Sequence, residues 1–343
     1  MSEQRIPLLV NWLNQIPQKL GIKIETLAPA SSDASFRRYF RIASASGTLV
    51  VMDAPPPKED CGPFVDIAGR LATVGLNVPK VIEMDLNQGF LLLSDLGPTT
   101  YYDEIVSGVE DFTLQKMYRE ALAALVNMQA TRYDGLPRYD APRLKEELGL
   151  FTEWYTSIHC KTILPPETLQ ALDTVFDLLV KHNAAQPKVF VHRDFHSPNL
   201  MLCEEEKFGA NPGILDFQDA VAGPITYDLA SLVMDARTTW EEPQQIDWAI
   251  RYWEQARKNN LPVPTDFADF HRDYEWMGLQ RNLRILGVFA RLNHRDGKAS
   301  YLAHMPRVNQ YVRQVAGRYI AFKPLIRTLD QLDQVQTKVG YTF

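Results

Sequence analysis

The chain is short of cysteine, of positive charge and of long apolar runs, and each shortage removes a class of protein. Three cysteines in 343 residues, Cys61, Cys160 and Cys203, are odd in number and far apart. They suggest neither a disulfide framework nor a zinc site, and they fit a reducing compartment. Lys and Arg number 36 against 42 Asp and Glu, a formal net charge of −6 with no basic stripe, which argues against a nucleic-acid partner. No apolar stretch approaches membrane-spanning length, and Ser2 to Arg5 lacks the basic-then-apolar order of a signal peptide. The expectation is a soluble, cytoplasmic protein with neither a membrane nor a nucleic-acid partner. Apolar residues at 45% and charged residues at 23% are ordinary for a globular enzyme, and the length allows one two-lobed domain or two domains.

What is present centres on residues 189–202. Val189, Phe190 and Val191 read as a short buried strand, followed by a polar loop carrying His192, Asp194 and, five residues on, Asn199. A second apolar run, Pro212 to Leu215, ends on another acid, Asp216, and then Phe217. An acid and an amide on a loop between strands, with a second acid capping the next strand, suit phosphoryl transfer from a magnesium nucleotide. One Asp accepts or orients the hydroxyl proton, while the amide and the other acid supply hard oxygen ligands to Mg²⁺. His192 reads as a brace for the loop. The alternative, a solvated loop between two strands, explains neither the spacing nor the second acid.

Before this loop the pattern is that of a small sheet. Residues 2–20 predict a helix with Leu8, Leu9, Trp12, Leu13 and Ile16 on one side, and residues 22–27, 36–42 and 48–53 predict antiparallel strands. The small polar turn Ser32, Asp33, Ala34 and Ser35 could lie over nucleotide phosphates or be a plain hairpin turn. A helix over 64–75 and strands over 78–84 and 89–94 follow. At Ser94, Asp95 and Leu96 a strand gives way to a linker, which could read an adenine edge or be an ordinary strand end. The boundary is placed there, giving segments 1–96 and 97–343. Beyond it the periodicity is helical, over 112–129, 143–158, 168–182, 244–258, 266–292, 301–317 and 323–334. Asp228, near a helix start, is expected to steady loop geometry. Arg281, Arg284 and Arg291 interleave with apolar residues; they could meet an anionic or polyhydroxylated substrate, or form a salt-bridged helix side.

Together the loop, the Asp216-Phe217 strand end and the linker resemble the aminoglycoside phosphotransferase-like branch of the protein-kinase-like fold, from about Leu27 to Leu232. The resemblance implies an α+β, two-lobed fold, with a small antiparallel-sheet N-lobe and a mostly helical C-lobe. It implies Asp194 as catalytic base or hydroxyl-orienting acid, Asn199 and Asp216 as metal ligands, and ATP with Mg²⁺ as cofactors. Nucleotide binding is then expected of Ser32, Asp33, Ala34, Ser35, Ser94, Asp95 and Leu96, with the turn in place of a glycine-rich loop. Residues 32–41, 51–56 and 283–291 are similar to a narrower group, the bacterial anomeric kinases of N-acetylmuramate and N-acetylglucosamine in cell-wall recycling. That likeness implies an amino-sugar substrate, and His196, Arg281 and Arg284 are the candidates to bind it.

Two departures qualify the match. Met52 stands where a kinase of this fold carries its phosphate-binding Lys, and Ile67 where the helix Glu that pairs with it would be. Losing both charges together is coherent, since either alone would be uncompensated. Arg38 or Arg41 could supply the missing cation. Three residues apart, they point to opposite faces of a strand, so only one can face the cleft, and Arg38 is favoured. Asp216 is also followed within a few residues by Gly223 and a new helix, which leaves no room for a peptide-docking segment and favours a small acceptor. Other acceptors (an aminoglycoside, an amino alcohol, another sugar) and a nucleotide-binding scaffold without catalysis remain the alternatives.

Overall fold

The computed structural model describes residues 5–31, 36–56 and 58–339. The chain forms two compact units, Met1–Thr113 with Pro198–Asp219, and Leu114–Ser197 with Ala220–Phe343. The expected boundary after Leu96 therefore gives only part of the division. The segment from Pro198 to Asp219 returns to the first unit, where Asn77 holds it through Nδ2 to the Phe208 and Ala210 carbonyls (2.9 and 2.8 Å) and its carbonyl accepts from the Ile214 amide (2.8 Å).

The first unit is built on a five-stranded antiparallel sheet of β1 (Lys23–Ser31), β2 (Arg38–Ser44), β3 (Gly47–Asp53), β4 (Val81–Asp85) and β5 (Phe90–Ser94), in the order β1-β2-β3-β5-β4. Alternation fixes its two faces. Phe40, Ile42, Leu49, Val51, Phe90 and Leu92 share one face and pack with Leu9, Trp12 and Leu13 of the helix Arg5–Leu13. Each such side chain contributes about 1.5–3 kcal/mol on burial. That helix is shorter than the expected 2–20. Pro17 cannot continue it, a 3-10 turn follows at Gln18–Leu20, and Leu8 is exposed; residues 2–4 lie outside the described residues. The opposite sheet face carries Tyr39, Arg41 and Val50.

The second unit is helical apart from the strand pair Lys188–Val191 and Val221–Pro224. The helix expected over 143–158 divides. It is α-helical over Ala141–Leu150 and π-helical over Phe151–His159, with the Cys160 amide reaching back to the Tyr155 carbonyl. The change falls where the long helix Phe267–His294 comes closest. A Cβ on Gly287 would meet the Leu150 carbonyl carbon and oxygen at 2.4 Å, so only glycine permits that approach. Among the described residues, no helix is long and apolar enough to cross a membrane.

Candidate active site

The strand Lys188–Val191 delivers the loop into the second unit, and one buried acid holds its start. Asp228 accepts from the His192 amide (2.7 Å) and the Arg193 amide (3.0 Å). Burial pushes the Asp228 carboxyl up to about 7, against the pull of those two amides. His192 is fully buried, stacks edgewise on Phe195 and accepts from the Asp194 amide through Nδ1 at 3.3 Å, so it braces the loop as expected. Arg193 sits at φ +78°, a left-handed conformation uncommon for a side-chain-bearing residue, which re-aims the chain just before Asp194.

Around Asp194 lies a nest of positive charge. Burial works to raise its pKa, but Arg284, then His196, Arg281 and Arg193, hold it below the usual carboxylate value. His196 is itself pushed down to about 4 by burial, against the pull of Asp235 and Asp194, so at neutral pH the arginines carry the effect. Asp194 is thus an ionised hydrogen-bond acceptor at neutral pH.

The arginines differ in their commitments. Arg284 binds Glu147 through Nε at 3.1 Å, and Arg193 binds the other Glu147 oxygen at 3.3 Å. Arg281 is 4% exposed, and its Nε and Nη1 have no hydrogen-bond partner among the described residues. The two alternatives for this helix therefore separate: Arg284 is salt-bridged, and Arg281 carries unspent donors beside the Asp194 loop. His196 is buried, with Nδ1 3.3 Å from Arg237 Nη1, and Asp235 accepts from the Ser197 and Arg237 amides at 3.2 and 2.9 Å.

The first unit holds a cavity of about 360 Å³, within the size range of nucleotide and ligand sites. Tyr39, Arg41 and Val50 line it from the sheet; Ser94, Asp95 and Leu96 line it from the linker, and Asn199 and Asp216 from the returning segment. Linker and returning segment are tied by the small core of Leu96, Met201 and Cys203, and the Cys203 thiol donates to the Leu96 carbonyl at 3.3 Å. Asp216 has φ +62°; its carboxylate accepts from Gln218 Nε2 at 2.8 Å and lies 3.5 Å from the Asn199 amide.

Among the described residues no three His, Cys, Asp or Glu side chains cluster. Magnesium does not need such a cluster, since it takes one or two protein oxygens and completes its shell with phosphate and water. One carboxylate beside one amide on a cavity wall fits that demand.

Arg38 requires a correction. It pairs across the register with Asp53, and its guanidinium binds that buried carboxylate on the face that also meets Arg5. Arg41 is the one on the cavity face, where Nε and Nη2 grip Asp95 at 2.6 and 3.0 Å and Nη2 also reaches the Gly97 carbonyl at 2.9 Å. The parity argument held, but the core residues Phe40 and Ile42 share the parity of Arg38 and take it to the helix face. The turn Ser32, Asp33, Ala34 and Ser35 lies outside the described residues.

Sequence reasoning missed Glu147, Asp235, Arg237 and Gln218. Glu147 had a signal: it falls between Leu144 and Leu148 on the apolar side of its helix, a core position for a charge. The other three had none, because only the fold brings them to the loop.

An α+β fold of this kind, with an acid and an amide on one loop and a second acid at the next strand end, is that of a phosphotransferase, and the family match bears out the class. The chain belongs to the phosphotransferase enzyme family, whose model matches residues 26–276. It is 47% identical over 309 residues to an N-acetylmuramate/N-acetylglucosamine kinase of Pseudomonas aeruginosa, covering 90% of this chain and 89% of that one. A kinase of the same name from Neisseria meningitidis is 41% identical over 343 residues, covering 99% and 100%. Among solved structures, the ADP-bound aminoglycoside phosphotransferase APH(2'')-Ib superposes with a TM-score of 0.58 at 12% identity, over 90% of this chain and 98% of that one. The choline kinase LicA from Streptococcus pneumoniae does so at 0.58 and 11%, over 90% and 99%. At such identities the likeness is one of fold.

Proposed function

We propose that this chain transfers the γ-phosphoryl group of ATP to the anomeric C1 hydroxyl of N-acetylmuramate and N-acetylglucosamine, in the recycling of cell-wall amino sugars. The observation that carries the reading is the 41–47% identity to kinases of those sugars over about nine-tenths or more of both chains.

The geometry supports it in detail. Asp194, ionised and held on a braced loop, accepts the hydrogen bond of the attacking hydroxyl and takes its proton as the O–P bond forms. A weak base suffices, because the loose transition state of phosphoryl transfer builds little charge on the nucleophile, and an anomeric hydroxyl is more acidic than an ordinary alcohol. Arg281, buried with two unspent donors, is suited to a carboxylate such as the lactyl group of N-acetylmuramate. His196 and Arg284 frame the same loop. Ser94, Asp95 and Leu96 present the linker to adenine. Asn199 and Asp216 would hold Mg²⁺, which neutralises phosphate charge when bound. Three buried thiols, none in a disulfide, suit a reducing cytoplasm.

The test is ADP release from Mg·ATP with N-acetylmuramate, N-acetylglucosamine, glucose or kanamycin, with phosphate position read by ³¹P NMR. A C1-phosphate on the two N-acetyl sugars is expected, and turnover only with another acceptor would overturn the substrate assignment. Asp194→Asn should lower kcat by about 10²–10⁴-fold with ATP affinity retained. A variant with near-normal turnover would remove Asp194 from the mechanism.

A further inference from the structure

A sheet that carries buried Met52 in place of the phosphate-binding lysine needs another cation, and neither strand arginine is suited to the task. Arg38 is spent on Asp53 on the far face, and Arg41 is gripped by Asp95 and the Gly97 carbonyl. We propose that Arg37, positioned by Glu59, is the side chain that binds the nucleotide phosphates, an Arg–Glu pair doing the work of the absent Lys–Glu pair. The inference rests on the assignment of Asp216 to the metal; it is independent of which sugar accepts the phosphate.

Three observations converge. Arg37 stands immediately before β2 and shares the parity of Tyr39 and Arg41, the β2 residues that line the cavity. Its Nη2 lies 3.1 Å from Glu59 Oε2, and both side chains are largely buried, at 11% and 14% exposure. Glu59 in turn precedes the helix Gly62–Thr73, whose Phe64 packs on Phe217 with ring centroids 4.9 Å apart, so the pair and the Asp216 turn share one neighbourhood.

Electrostatics agrees. Burial works against the charge of Arg37, yet Tyr39, Glu59, Asp216 and Asp219 together raise its pKa. A guanidinium in the field of Asp216 and Asp219 is placed to neutralise phosphate oxygens brought there with the metal. Its planar fork holds two parallel donors at a fixed spacing that matches two of them, where an ammonium is a point charge with rotating donors. Glu59 plays the part of the helix glutamate, fixing the rotamer and compensating the charge when no nucleotide is bound.

The test uses the full chain and nucleotide binding by calorimetry with Mg²⁺ and no sugar, so that acceptor identity does not enter. Arg37→Met should weaken Mg·ATP by about 10–100-fold, the worth of one charge-assisted bidentate contact, while adenosine binds as to wild type. Arg37→Lys should lose less, and Glu59→Gln should fall between wild type and Arg37→Met. Lys58→Met, an exposed neighbour resting on Phe36, is the control and should bind ATP normally. An Arg37→Met enzyme whose ATP affinity stays within about twofold of wild type overturns the proposal, as does an equal loss for ATP and adenosine. Should Arg37→Met not fold, Arg37→Lys decides, and unchanged ATP affinity there is equally fatal. A wild-type chain that binds no Mg·ATP would instead sink the kinase reading itself.

Discussion

Replacing Glu147 should damage stability and catalysis together. This carboxylate is 5% exposed and sits at the centre of four polar neighbours. One oxygen receives Arg193 at 3.3 Å and lies 3.7 Å from Arg143; the other receives Arg284 at 3.1 Å and the Tyr139 hydroxyl. Arg143 is 49% exposed, so solvent screens its share to near nothing. Arg193 and Arg284 are 16% and 18% exposed, and for them the loss is that of a buried ion pair broken on one side. Such a break costs about 3–5 kcal/mol, because two largely buried guanidinium groups lose the carboxylate that binds them and keep only the charge of Asp194. Glu147→Ala should therefore destabilise by about that amount, a third or more of an ordinary domain's margin. Glu147→Gln keeps an acceptor and should cost less.

Urea unfolding with and without Arg284→Met gives the pairwise term from a double-mutant cycle, expected to be at least about 1 kcal/mol. Arg193 also precedes Asp194 in a left-handed turn. The soluble fraction of Glu147→Gln should accordingly show a lower kcat with ATP affinity retained. A Glu147→Ala chain that loses less than about 1 kcal/mol, or a cycle additive within about 0.5 kcal/mol, would refute the reasoning.

Two further perturbations are decided by geometry. His196, pushed down to about 4, is neutral in the native state between pH 4 and 6.5, where an unfolded histidine charges. Its burial therefore costs stability as pH falls through that window and leaves stability unaffected above it. His196→Asn should flatten the acid limb of a pH–stability curve, and an imidazole signal from His196 that titrates near 6.5 by NMR would contradict this. Gly287→Ala forces a Cβ to within 2.4 Å of the Leu150 backbone, where no flexible side chain can yield. A loss of about 1–3 kcal/mol, as for overpacking, is expected by thermal melting, and an unchanged midpoint would mean that the two helices can separate without cost.

The family was legible because the information in residues 189–216 is local: an acid, an amide and a second acid at fixed spacing between apolar strands need no tertiary contact to be recognised. The strands were legible because alternation is a period of two. What failed needed partners distant in sequence. The return of residues 198–219 to the sheet unit depends on Asn77, more than 120 residues upstream. The switch to π-helix at Phe151 falls beside Gly287, which is far away in sequence. The choice between Arg38 and Arg41 could have been made from the sequence, since Phe40, Ile42, Leu49, Val51 and Asp53 mark one face by parity and register, and an acid at the end of that apolar series asks for Arg38.

The same logic bears on the altered phosphate site. Met52 is fully buried and Ile67 is 2% exposed, so both replacements have become core residues that could not be re-ionised singly without a penalty. Yet a cation and an anion persist close by, Arg37 with Glu59, carried on the lead-in to β2 and the approach to the next helix rather than on β3 and the helix itself. The count of charges is unchanged, and only their anchor points on the sheet unit have moved.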